Sequence, residues 1–294
     1  MGEPFSDRLI QAARTHGPLC VGVDPHAGRI PLCFGGDTPD GVRAWGLALV
    51  EAVRGRCGVV KPQVALFERH GPAGMAALQA VCATARAAGL LVITDAKRGD
   101  IGSTAEGYAE AYLGVDAPFP SDAVTVNPYM GVETLEPFVR RAEAQGKGVV
   151  VLARTSNPGA ADFQGRNVDG APLFTRVVEA LEPYIERLEG AHGWSSLMLV
   201  AGATGPAEAR RLRSIALNAL FLVPGYGAQG ADAAQALASF LPGPFGLEGG
   251  VVNASRSIAY PRGAEHASSL DAWRALVVDA IEAAQSDLSA AAGR

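Results

Sequence analysis

Residues 90–101 read Leu-Leu-Val-Ile-Thr-Asp-Ala-Lys-Arg-Gly-Asp-Ile, a short β-rich apolar run that ends in a cluster of charged side chains. Near-continuous apolar character of this length is typical of a parallel strand that is buried on both faces. The segment therefore predicts a buried strand with charged groups at its C-terminal end.

Seven similar runs occur along the chain, and amphipathic helical patterns separate them. The runs span residues 19–24, 58–64, 123–128, 148–155, 197–203, 219–225 and 250–256. Eight strands that alternate with helices indicate an α/β fold, either a closed (β/α)8 TIM barrel or a large doubly wound sheet. No linker, repeat or low-complexity segment divides the sequence. We therefore predict one (β/α)8 barrel domain over residues 1–294.

Composition excludes several classes of protein. The chain has 294 residues, of which 48% are hydrophobic and 19% charged, and its net charge of −5 comes from scattered residues of both signs. Nucleic-acid and anionic-membrane surfaces need basic clusters, so neither partner is expected. The sequence has no apolar stretch of about 20 residues and no signal-peptide core, which predicts a cytoplasmic protein.

Cysteine and histidine spacing predicts no metal site. The five histidines are dispersed, and no CxxC or HxxxH pair is present. Free thiols of a reducing compartment are therefore expected at the four cysteines, Cys20, Cys33, Cys57 and Cys82.

Polar residues end nearly every predicted strand. They are Asp24, Lys61, Asp95, Lys97, Asn127, Arg154, Ser156, Thr204, Gln229 and Arg256. Reactive groups of a (β/α)8 barrel lie at the C-terminal ends of its strands and in the loops that follow. The pattern therefore predicts a functional site at that end of the barrel.

The charged end of the third strand carries the clearest chemistry. Alternation along a strand directs Asp95 and Lys97 to the same side, Asp100 lies just beyond, and Lys61 ends the neighbouring strand. Two carboxylates around an ammonium favour its charged form, which makes Lys97 a proton donor and a poor nucleophile. The alternative is a surface ion-pair ladder, worth about 0–1 kcal/mol per pair. The apolar run before Asp95 and the second lysine favour a site.

The segment 95–101, Asp-Ala-Lys-Arg-Gly-Asp-Ile, followed by Thr104, resembles the signature of the orotidine 5′-phosphate decarboxylase family. The resemblance covers nearly the whole chain and is greatest to the longer bacterial form. It implies a ribose-binding role for Asp24 in Val-Gly-Val-Asp-Pro. Ser156, in Arg-Thr-Ser-Asn-Pro-Gly, matches a serine that binds the pyrimidine. The other substrate-binding candidates are Asn127, Thr104 and the phosphate ligands Gln229 and Arg256.

The resemblance also implies the reaction. Orotidine 5′-phosphate would lose CO2 to give UMP, the last step of de novo pyrimidine synthesis, without any cofactor. Asp95 would disfavour the substrate carboxylate, Lys97 would stabilise and protonate the carbanion at C6, and Lys61 with Asp100 would complete the charge array. In the family, the residues that match Asp100 and Thr104 come from the partner subunit, which implies a homodimer with shared active sites.

Four other functions are alternatives to decarboxylation. Residues 225–230 match GxGxxG, but they follow the seventh strand and leave too few strands for a nicotinamide-binding domain. A Schiff-base aldolase needs a deprotonated lysine, which the flanking acids oppose. A magnesium-dependent sugar-phosphate synthase of the same superfamily shares the D-x-K-x-x-D pattern and is the main alternative. A catalytically inactive ligand-binding barrel would more naturally have lost part of the charge array.

Overall fold

The computed structural model describes residues 2–227 and 230–294, and its centre is a closed barrel of eight parallel strands. Each strand pairs with its neighbours in sequence, and the last pairs with the first. The strands are β1 (Leu19–Val23), β2 (Val59–Pro62), β3 (Leu91–Arg98), β4 (Ala123–Val126), β5 (Gly148–Arg154), β6 (Ser195–Ala201), β7 (Ala219–Pro224) and β8 (Gly250–Ala254). The predicted (β/α)8 barrel is confirmed, and the doubly wound sheet is excluded because the sheet closes on itself.

Helices surround the barrel. They are α1 (Phe5–His16), α2 (Pro39–Val53), α3 (Val64–Glu68), α4 (Gly71–Ala87), α5 (Gly102–Leu113), α6 (Glu136–Gln145), α7 (Ala160–Phe163), α8 (Leu173–Ala180), α9 (Glu182–Arg187), α10 (Pro206–Ile215), α11 (Ala233–Ala236), α12 (Arg256–Ala259) and α13 (Leu270–Ala292). Single 3-10 turns lie at Leu32–Phe34, Val132–Leu135 and Ala264–His266. Short hairpins pair Asn167–Val168 with Ala171–Pro172 and Leu241–Gly243 with Gly246–Glu248.

The core has two layers, one on each side of the sheet. Inside the barrel, strand side chains such as Ile93 and Met198 pack together, and Phe5, Leu9 and Ile10 of α1 pack against them. Outside, the strands pack on the helices in a larger apolar cluster. We call the N-terminal ends of the strands, where α1 packs, the floor, and the C-terminal ends the mouth.

The cysteines are free thiols, as the sequence predicts. Cys20, Cys57 and Cys82 are buried, and burial raises the pKa of Cys57 and Cys82 to about 12, so these thiols are unreactive at neutral pH. No group of three His, Cys, Asp or Glu side chains that could hold a metal ion occurs in residues 2–227 or 230–294. Over the same residues, none of the helices has the length and apolar character needed to cross a bilayer.

Candidate active site

A cavity of about 360 Å³ opens at the mouth of the barrel. Its walls come from the ends of the strands and the loops that follow them, which is where the sequence places the site. Six of the predicted site residues line it: Asp24, Lys61, Asp95, Lys97, Ser156 and Arg256.

The centre of the cavity holds three charged side chains in a row. Asp95 Oδ2 lies 2.7 Å from Lys61 Nζ, and Asp95 Oδ1 lies 2.6 Å from Lys97 Nζ. Asp95 and Lys61 are buried, at 7% and 4% exposure, whereas the Lys97 side chain is 48% exposed. The outer lysine of the row is therefore the one open to a ligand.

The charges stabilise one another against burial. Burial alone would raise the pKa of Asp95, but Lys61 and Lys97 hold it well below its usual range. Burial would likewise lower the pKa of Lys61, and the charges of Asp95 and Asp24 raise it instead. Both groups are therefore ionised at neutral pH, and the site presents fixed charges.

Two neutral side chains complete the contacts of Asp95. Gln63 Nε2 donates to Oδ2 at 2.9 Å, and Thr125 Oγ1 donates to Oδ1 at 3.0 Å. The same Thr125 oxygen accepts from the backbone N–H of Lys97 at 2.8 Å. Sequence reasoning missed both residues, although Thr125 lies in the fourth apolar run and Gln63 follows Lys61 by two positions. With four donors, the carboxylate is held in one orientation.

The backbone at Lys97 departs from a regular strand. Its φ is +48°, in the left-handed region that non-glycine residues seldom adopt, and pairing with β4 is irregular between Thr94 and Arg98. Such a conformation costs about 1–3 kcal/mol and persists where surrounding contacts impose it. The sequence predicts that Lys97 and Asp95 share one side through simple alternation. They do meet, although the backbone at Lys97 is not that of a regular strand.

The cavity wall formed by the ends of β1 and β8 has acceptors with no internal partner among the described residues. Asp24 Oδ1 and Asn253 Oδ1 are buried and receive no hydrogen bond from any residue that the structure describes. Both residues line the cavity, and Arg256, exposed at the start of α12, lies on the same wall. Buried oxygens without protein donors in a polar cavity can accept from a ligand or from water.

Comparison with known proteins identifies the family. The model of the Orotidine 5′-phosphate decarboxylase / HUMPS family matches residues 17–268. The chain belongs to this family. An orotidine 5′-phosphate decarboxylase from Nocardioides is 44% identical over 79% of this chain and 84% of its own length. One from Rhodopirellula baltica is 40% identical over 87% of this chain and 88% of its own.

A solved structure agrees with this assignment. The Leishmania donovani OMP decarboxylase superposes with a TM-score of 0.72 at 32% identity, covering 96% of this chain and 98% of the other. Because the match spans nearly the whole of both chains, it includes all eight strands that form the mouth.

Three of the predicted site residues are not on the cavity wall of this one chain. Asp100 Oδ1 accepts from the backbone N–H of Ile101 at 2.8 Å, and Thr104 is exposed on α5. Asn127 is exposed, and its Oδ1 accepts from Tyr129 N at 3.0 Å. Their predicted roles stay predictions. Gln229, the predicted phosphate ligand, lies outside the described residues.

His26 is a further cavity residue that the sequence reasoning did not single out. Burial lowers its pKa, Asp24 opposes that effect, and Arg256 adds to it. A neutral imidazole is therefore expected at pH 7, in the same cavity as the candidate ribose and phosphate ligands. Its only sequence signal is its position two residues after Asp24.

Proposed function

We propose that this protein decarboxylates orotidine 5′-phosphate to UMP and CO2, as a carboxy-lyase that needs no cofactor. The observation that carries the proposal is the row Lys61–Asp95–Lys97, which lies in the same mouth cavity as unpaired acceptors and an exposed arginine. The names of the relatives in the same family support the substrate.

The pyrimidine would lie over the charged row. When the bond from C6 to the carboxylate breaks, its electron pair stays on C6 and CO2 leaves. Lys97, the exposed ammonium of the row, stabilises the carbanion and then donates a proton to C6. Asp95 is ionised next to the departing carboxylate and disfavours the bound ground state. Lys61 holds Asp95 ionised from the buried side.

Magnitudes require more than the charged row. One pair of unit charges at 4 Å is worth about 4 kcal/mol at an effective dielectric constant near 20. Enzymes lower barriers by roughly 8–23 kcal/mol, so repulsion from Asp95 is one contribution among several. Binding energy from the phosphate would supply another part by organising the site. Arg256 has the bidentate donor geometry that phosphate recognition favours, and Gln229 stays a proposed ligand beside it.

The site would be shared between two subunits. Asp100 and Thr104 follow the end of β3 and do not line their own chain's cavity, which leaves them available to a partner. Large apolar side chains are exposed in the same loop and in the loop that follows β4: Ile101 at 60%, Tyr129 at 81% and Met130 at 46%. Exposed apolar groups of this size are typical of an interface. We propose a homodimer in which Asp100 and Thr104 reach the partner's cavity.

Product analysis tests the reaction against its main alternative. Purified protein with orotidine 5′-phosphate should give UMP and CO2 in equal amounts, measured by chromatography and CO2 capture. A magnesium-dependent sugar-phosphate synthase would instead turn over pentulose phosphates. That activity would be lost when EDTA removes Mg²⁺ and would return when Mg²⁺ is added back. Activity on the sugar phosphates alone would overturn the proposal.

Mixed subunits test the shared site. Lys97→Ala and Asp100→Ala homodimers should both be inactive, and mixing them should restore about a quarter of wild-type activity, because half of the dimers then carry one intact site. Mixing Lys97→Ala with Asp95→Ala is the matched control, since both substitutions affect the same wall and no intact site forms. Activity in the control, or none in the first mixture, would contradict sharing through Asp100.

A further inference from the structure

Tyr260 links two parts of the mouth, the loop after β1 that contains Asp24 and the turn that contains Arg256. It follows α12 directly, and its backbone N–H donates to Arg256 O at 3.1 Å, so it belongs to the same turn as the candidate phosphate ligand. Its hydroxyl reaches the loop after β1, where Asp24 lies.

The hydroxyl of Tyr260 hydrogen-bonds to both ends of the turn from Asp24 to His26 in that loop. Tyr260 Oη donates to the backbone carbonyl of Asp24 at 2.8 Å and accepts from the backbone N–H of His26 at 3.0 Å. The same His26 N–H lies 2.8 Å from Asp24 O. One phenol therefore fixes the carbonyl of Asp24 and the amide two residues later.

The ring of Tyr260 is itself immobilised. It is 5% exposed, stacks on Trp45 with centroids 5.3 Å apart and planes at 10°, and has the Arg29 guanidinium 4.6 Å from its centre. Burial raises the pKa of its hydroxyl, so it stays a neutral donor at neutral pH. A rigid ring with one polar atom suits a positioning role.

Asp24 needs such support. Its Oδ1 is buried, lines the cavity and lacks a hydrogen-bond partner within the described part of the chain, so no side-chain contact is seen to orient that oxygen. Instead, the hydrogen bonds from the Tyr260 hydroxyl to the backbone of Asp24 and His26 orient Asp24. We propose that Tyr260, at the end of the helix that begins with Arg256, is a positioning residue. Its hydrogen bonds hold the backbone of Asp24 so that the Asp24 carboxylate is oriented to bind the ribose. This inference depends on the proposed function, because it takes Asp24 to bind the nucleotide.

Affinity for UMP, measured by calorimetry, tests the inference. Tyr260→Phe keeps the stacked ring and removes the hydroxyl, so the Kd for UMP should rise about tenfold, which corresponds to about 1.4 kcal/mol or one lost hydrogen bond. If Tyr260 acts through Asp24, the same substitution in an Asp24→Asn background should change the Kd less than twofold.

Tyr184→Phe is the matched control, because Tyr184 lies on the outer helix α9 and does not line the cavity. It should leave the Kd unchanged in both backgrounds. An equal rise from Tyr260→Phe with and without Asp24 would show a general structural effect and overturn the inference, as would no rise in the wild-type background. Failure of the proposed function is distinguishable, since the wild-type protein would then neither bind UMP nor turn over orotidine 5′-phosphate.

Discussion

The two ends of the barrel both bury charge, but they use it differently. At the floor, Arg213 is 4% exposed, and its guanidinium lies 4.1 Å from the centre of the Phe221 ring. Its nitrogens donate to five backbone carbonyls, those of Ser239, Ala216, Leu217, Ala219 and Gly249. This cation ties loops to the starts of strands and has no donor directed at a ligand.

Cavity size alone would select the floor. A groove of about 620 Å³ lies there, larger than the 360 Å³ cavity at the mouth. Three of its charges are paired, since Asp122 accepts from Arg8 at 2.7 Å and lies 3.7 Å from Arg86. At the mouth, Asp24 and Asn253 keep acceptors free of any described partner. None of the buried unpaired side-chain atoms in the described residues belongs to a residue that lines the floor groove, so the two cavities differ in whether their walls offer free acceptors.

The largest expected difference between the two ends concerns two lysines. Lys97→Ala at the mouth should lower kcat by at least about 1,000-fold, which corresponds to about 4 kcal/mol of barrier. The unfolding free energy should change by less than about 1 kcal/mol, because the side chain is half exposed. Steady-state kinetics and urea denaturation measure the two effects.

Lys147 is the control at the floor. It is buried, its Nζ donates to Gly114 O at 3.1 Å, and burial lowers its pKa to about 8. Lys147→Met should leave kcat within about twofold of wild type, because the residue is remote from the mouth. Near-normal turnover by Lys97→Ala would remove it as the proton donor.

Arg213→Met should lower stability and leave kcat unchanged, whereas Lys97→Ala should lower kcat and leave stability nearly unchanged. Removing the guanidinium leaves buried carbonyls without their donor, so the unfolding free energy should fall by about 3–5 kcal/mol. The kcat of the folded fraction should be unchanged. A loss below about 1 kcal/mol in urea denaturation would show that Arg213 is not central to the floor.

Asp95→Asn should reduce stability in a pH-dependent way. The folded-state pKa of Asp95 lies below its unfolded value, so its stabilisation is complete above about pH 4 and is lost as pH falls through the folded pKa. The variant should be less stable by about 3 kcal/mol at pH 7, because Lys61 stays buried without its partner. Urea denaturation from pH 3 to pH 8 should show this gap narrowing only at the acid end. A gap that does not change with pH would contradict the ion pair.

The smallest expected effect comes from Thr125→Val. It removes one donor to Asp95 and the acceptor of the Lys97 N–H, so kcat should fall about tenfold with little change in KM. Thr175→Val is the matched control, since that buried hydroxyl donates to Pro172 O away from the cavity. Equal effects of the two substitutions on kcat would show that Thr125 has no special role.

The fold was predictable because eight apolar runs, each buried on both faces, leave few alternatives to a closed parallel sheet. Boundaries were less predictable. The run 58–64 contains only four strand residues, since Val64 already begins α3. Buried charged residues also occur at the N-terminal ends of strands, where Asp122 and Lys147 directly precede β4 and β5 at the floor. A polar residue at a strand end therefore does not by itself indicate the site.

The charged members of the site were also predictable, whereas its neutral ones were not. Asp95 and Lys97 stand out because charge is rare after a buried strand. Gln63 and Thr125 carry no such signal, and they reach Asp95 because β2 and β4 flank β3 in the sheet. Nothing in the local sequence indicates the link from Tyr260 to Asp24, since 236 positions separate them.

The most direct test of the account follows the ultraviolet absorbance of orotidine 5′-phosphate mixed with the wild-type protein in excess EDTA. The account predicts that the orotate chromophore disappears as UMP forms in equal amount, at the same rate with and without the chelator. An unchanged spectrum from folded protein, or turnover that EDTA abolishes and Mg²⁺ restores, would contradict the claim that this protein decarboxylates orotidine 5′-phosphate without a cofactor.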